Sequence, residues 1–91
     1  MSSMRERFEK YHEENPHVYD LFCKFARKAI SRKFKHYSAK SIFERIRWHM
    51  HMETSSDEFK LNNNYTAYYS RKFMEDHPEH DGFFFTRELL S

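Results

Sequence analysis

Ninety-one residues with a formal net charge of +2 make one small domain, one that buries roughly 60–65% of its unfolded surface. One Gly, two Pro and a single Cys (Cys23) exclude a loop-rich, disordered or disulfide-stapled chain, and an aromatic share of 19% thickens a short core. No stretch nears the ~20 apolar residues of a membrane helix, and the charged start "MSSMRERFEKYHEEN" has no secretory h-region, so a cytoplasmic protein away from membranes is expected.

In chain order, Ser3 and Glu6 have capping-box spacing and predict a short helix that stops near Glu14, with Met4, Phe8 and Tyr11 on one face. "NP" restarts the chain, Asn15 placed to cap and Pro16 at the first helical position. The second helix is an apolar stripe of Val18, Leu21, Phe22, Phe25, Ala29 and Ile30, continued by Phe34, with Lys24, Arg27, Lys28 and Arg32 largely off it. "KHYS" (35–38) reads as a break or short extended segment. Ser38 then caps a third helix with Ala39, Ile42, Phe43, Ile46 and Met50 on one face and Trp48 at a packing edge.

A polar loop (53–58) follows, then "FKL" (59–61), whose alternation suggests a short strand. Asn62, Asn63 and Asn64 precede a fourth helix from about Tyr65 to Glu75, ended by "HP". "EHDG" is a turn, and "FFFTREL" (83–89) reads as a strand. Residues 1–91 form a single domain: an N-terminal helix over 1–14, then a helical core over 15–91 with a C-terminal strand. The expected fold is mainly α with a small β element: four helices and a short sheet, close to a winged helix-turn-helix. The strand's partner would be 57–61 or 35–38. The link between helices three and four is longer than the usual 3–4-residue turn of that motif.

Charge is unevenly placed. Residues 24–47 hold nine Lys/Arg and the single acid Glu44, a local net of +8, while both flanks are acidic. Such a block suits phosphate contact by counterion displacement, and Lys24, Arg27, Lys28, Arg32, Lys33 and Lys35 are the candidate phosphate ligands. Asn bonds an adenine edge well, so Asn63, Asn64, Thr66, Ser70 and Arg71 are the candidate base readers at the mouth of the fourth helix. The plainer reading of the asparagines is a helix cap and turn, and that of the tyrosines Tyr65, Tyr68 and Tyr69 is packing.

Seven histidines show neither H-E-x-x-H nor paired-Cys spacing, so no metal or other cofactor is expected. No glycine-rich phosphate loop or nucleophile elbow is present, so no enzyme is expected either.

The runs "FEKYHEENPHVYDLF", "IFERIRW", "FKLNNNYTAYYSRKFMEDHPE" and "FFFTREL" resemble a family of small uncharacterised proteins of bacteria and their phages. The resemblance carries an Asn-Pro-His-Val-Tyr start within Tyr11 to Tyr19, an acidic residue before Arg-Trp (Glu44 to Trp48), Phe-Lys-x-Asn-Asn-Asn-Tyr at Phe59 to Tyr65, and Phe-x-x-Arg-x-Leu at Phe85 to Leu89. It implies a prokaryotic or phage source and brings no activity with it. Two functions follow as expectations. The first is a winged-helix-like regulator that binds double-stranded DNA. The alternative is a phage accessory module that docks on and modulates a host protein. Under either, a homodimer through Trp48 or the "FFF" edge is an option.

Overall fold

The computed structural model describes residues 3–54 and 58–84. Four α-helices build it: α1 (Met4–Glu14), α2 (Pro16–Ser31), α3 (Ala39–Met52) and α4 (Thr66–Asp76), with 3₁₀ turns at Asn63–Tyr65 and Pro78–His80. Each start has a local cause. The Ser3 hydroxyl oxygen accepts the Glu6 amide at 3.1 Å, and Ser38 accepts the Ser41 amide at 3.4 Å. Pro16 opens α2 where no N–H is needed. Asn15 acts differently from the expectation: its side-chain amide donates back to the Tyr11 carbonyl at 3.0 Å, so it closes α1 and makes no side-chain cap on α2.

The end of α2 is a Schellman motif. Lys33 N–H reaches the Ile30 carbonyl at 2.9 Å and Phe34 N–H the Ala29 carbonyl at 3.3 Å, with Lys33 left-handed at φ 71°. That reversal turns Phe34 back over the helix it has just left. Asn62 caps the 3₁₀ turn through its side-chain oxygen, which accepts the Asn64 amide at 2.9 Å, and α4 follows directly.

Aromatic rings make the centre of the core. Phe22 of α2, Phe43 of α3 and Tyr69 of α4 lie within 5.7–6.1 Å of one another, while Phe8 from α1 meets Tyr69 edge-on at 4.9 Å. Phe73 and Phe84 extend the cluster towards the turn after α4. The Cα extents of 35 × 33 × 17 Å describe a slab about two helices thick.

The expected sheet does not form among the described residues: they hold no strand, and the winged element is absent from them. For residues 59–61 the reason is visible in three consecutive carbonyls. His51 reaches the Phe59 oxygen (3.1 Å), Tyr11 O–H donates to Lys60 (2.8 Å) and Arg47 donates to Leu61 (2.5 Å). Side chains satisfy the acceptors that a neighbouring strand would have used. Among the described residues, 35–38 meet the segment at 83 through one backbone bond, Tyr37 N–H to Phe83 O at 3.2 Å, and no ladder extends it. Phe83 and Phe84 are buried as core side chains. The rest of the expected 83–89 strand falls outside the described residues.

Candidate functional site

α2 and α3 run side by side and leave a half-open groove of about 210 Å³ between them. Its floor is Phe25, Ala29, Phe34, Tyr37 and Ile42, and its rim carries Lys28, Arg32 and Arg45. Phe34 is 50% exposed because the left-handed Lys33 swings it there, and it meets Tyr37 edge-on at 5.2 Å. Arg45 lies over the Phe25 ring at 4.8 Å and reaches Glu53 at 3.4 Å. A hydrogen bond from His49, 2.7 Å away, and the Arg45 charge hold the Glu53 carboxyl below its ordinary range. Lys28 and Arg32 have no carboxylate partner among the described residues, so their charge faces outward unpaired.

Along α3 the groove continues into an outward stripe. Ser41, Arg45, Trp48 and Met52 recur at i, i+4, i+7 and i+11, opposite the buried Ile42, Phe43, Ile46 and Met50. Trp48 is 56% exposed and Met52 64% exposed. The expected packing-edge position of Trp48 is therefore corrected, as is the core position of Phe34. These three residues are the exposed large hydrophobics among the described residues, and all belong to the groove or to the stripe leading from it.

The basic block divides. Lys24, Arg27, Lys28, Arg32, Lys33 and Lys35 are all exposed, and Lys24 lies over the Phe25 ring at 5.9 Å. Arg47, from the same block, turns inward: it donates to Glu44 (2.8 Å), to the Leu61 carbonyl (2.5 Å) and to the Asn63 side-chain oxygen (2.6 Å). The other set of candidates is mostly committed to structure. Asn63 is held by Arg47, the Thr66 hydroxyl donates to the Asn63 carbonyl at 3.0 Å, and Ser70, 1% exposed, donates to the Thr66 carbonyl at 2.7 Å. Asn64 is exposed, and Arg71 lies beside α1 in a cleft shared with Arg5, Tyr68 and Glu75. No hydrogen bond, ion pair or ring contact joins the exposed α2 cations to Asn63, Asn64 or Arg71 among the described residues.

A second polar cluster sits between α1, α2 and α4. Tyr19 donates to Asp76 at 2.6 Å, and Lys72 lies 3.7 Å from Asp76 and 5.0 Å over the Tyr19 ring. Burial, then the Asp76 hydrogen bond, push the Tyr19 phenol far up, and burial raises the Cys23 thiol beside it. A phenol and a thiol held in their protonated forms are poor nucleophiles. Two polar atoms here are buried without a hydrogen-bond partner, His12 Nδ1 and the Tyr69 hydroxyl.

Among the described residues no three His, Cys, Asp or Glu side chains converge as metal ligands would, and no helix is long and apolar enough to cross a membrane. The residues that sequence reasoning passed over are Phe34, Tyr37, Ser41, Arg45 and Met52. For Ser41, Arg45 and Met52 the signal was the outward repeat of α3, an apolar-basic stripe on the side away from the core; Phe34 and Tyr37 precede that helix and belong to no such repeat. No family model, curated protein or solved structure matches the chain.

Proposed function

We propose that this chain is a non-catalytic protein-interaction module whose working surface is the α2–α3 face. The observation that carries the reading is the convergence of every exposed large hydrophobic among the described residues on one cation-rimmed groove and the stripe continuing from it. A groove of about 210 Å³ is smaller than the ~300–1,000 Å³ of common small-molecule pockets and suits one large anchoring side chain. Duplex DNA gains little from an apolar floor, since its affinity comes from phosphate contact. The asparagine and serine side chains offered as base readers are largely occupied within the fold. This favours the protein reading over the DNA reading. The resemblance to bacterial and phage proteins makes a bacterial host protein the expected partner.

Affinity capture from nuclease-treated bacterial lysate tests the proposal, comparing the wild type with Trp48→Ala/Met52→Ala and with Lys28→Glu/Arg32→Glu. The expected result is a stoichiometric protein that survives nuclease and is lost in both variants. Capture that is indifferent to both variants, or micromolar duplex binding at low salt that falls steeply with added salt, overturns it.

A further inference from the structure

We infer that the occupant of the α2–α3 face is an acidic amphipathic helix of the partner, laid lengthwise along α3. The inference rests on the docking reading above and names what docks. Its first support is shape. From Ser41 to Met52 the outward stripe advances eleven residues, about 16 Å of helix axis, with side chains one turn apart throughout. A partner helix repeats its own side chains at the same interval, so successive anchors meet successive positions of the stripe. The other common peptide mode, addition of a strand, needs a free sheet edge, and no strand forms among the described residues.

The second support is charge. Lys28 and Arg32 stand on the groove rim without carboxylate partners among the described residues, beside a floor of Phe25, Ala29 and Ile42. A side chain entering the groove must be apolar, while its flanks on the α2 side meet unpaired cations. Leucine or phenylalanine anchors with glutamates or aspartates one turn away answer both demands. Arg45 contributes less, because Glu53 already balances it.

Trp48 is the only tryptophan of the chain and lies on the stripe, so its emission reports occupancy directly. The probe is a capped, tryptophan-free synthetic peptide about four turns long, with leucines at i, i+4, i+7, i+11 and glutamates on the flanks. Two controls are the same peptide with a central proline and a composition-matched scramble. The expected result is a saturable blue shift with the helical peptide. The proline control, the scramble and the Lys28→Glu/Arg32→Glu protein should each bind about tenfold more weakly or worse. Far-UV circular dichroism of the double variant confirms that these exposed changes leave the helices intact.

Equal binding of the proline control overturns the helix while leaving docking in place. So does the absence of any shift when face-dependent capture of a protein persists, since the occupant then has other chemistry. A Trp48 shift produced by duplex DNA and not by the peptide overturns both readings.

Discussion

Arg47→Ala separates structural cations from binding cations. Arg47 sits on α3 with its side chain 23% exposed and fastens the 59–65 segment to that helix. Hydrogen bonds to a charged group contribute about 1.5–3 kcal/mol each, and an acceptor left buried without a donor costs about 1–3 kcal/mol. The pair with the exposed Glu44 adds at most about 1 kcal/mol. Because the Leu61 and Asn63 bonds share one nitrogen, they do not add fully. The working figure for Arg47→Ala is then about 3 kcal/mol, or a Tm lower by ~12–24 °C for a domain of this size. Arg47→Lys keeps the charge but offers one point donor in place of a fork, and should lose about 1–2 kcal/mol. Urea denaturation followed by far-UV circular dichroism gives the stabilities, and amide hydrogen exchange over 59–65 shows whether that segment loosens first. A loss under about 0.5 kcal/mol, or unchanged exchange in that segment, refutes the assignment of Arg47 as its clamp.

Three further outcomes are expected. Tyr69→Phe removes a buried hydroxyl that has no hydrogen-bond partner and should stabilise the protein by about 1 kcal/mol, whereas Tyr19→Phe breaks the 2.6 Å bond to Asp76 and should destabilise it by a similar amount, both read by denaturant titration. Lys33→Gly relieves the left-handed backbone at φ 71° and should raise stability by about 0.5–1 kcal/mol in the same assay. The pH dependence has two limbs. Burial and then Lys72 hold His12 below its ordinary value of 6.5, so the unfolded chain takes up more protons and stability falls as pH drops through 6.5 towards the lower folded value, a slope that His12→Phe should flatten. On the alkaline side burial holds Tyr11 up to about 12, with Tyr19 and Tyr69 raised further, so at least three of six phenols should stay un-ionised at pH 11 in an ultraviolet titration until the fold opens.

The helix order was legible because its punctuation is local. Ser3, Pro16, Ser38 and the His77-Pro78 pair act within a turn of themselves, and the stripes of α2 and α3 are strongly periodic. Asn15 is ambiguous in the sequence because an amide between two helices can serve either one, and its neighbours do not decide which. The error over 59–61 is of another kind. Alternating apolar residues resemble a strand, but the groups that satisfy this backbone come from 8, 49 and 14 residues away. Nothing local announces such partners.

The candidate site was half legible for the same reason. The basic block is plain in the sequence, yet the inward turn of Arg47 depends on a loop that only the fold brings beside α3, while Arg32 at the end of α2 stays on the groove rim. Trp48 has the residue type of a core and the helical phase of a surface, and the phase decided its place.

The most direct test of the account is site-specific photo-crosslinking. A benzophenone side chain replaces Trp48 in one protein and Glu13, exposed on α1, in another, and both are irradiated in nuclease-treated bacterial lysate. Position 48 should give a discrete protein adduct, absent from position 13 and suppressed by Lys28→Glu/Arg32→Glu. Adducts of equal yield from both positions, or an adduct at 48 indifferent to the charge reversal, would contradict a docking face on α2 and α3.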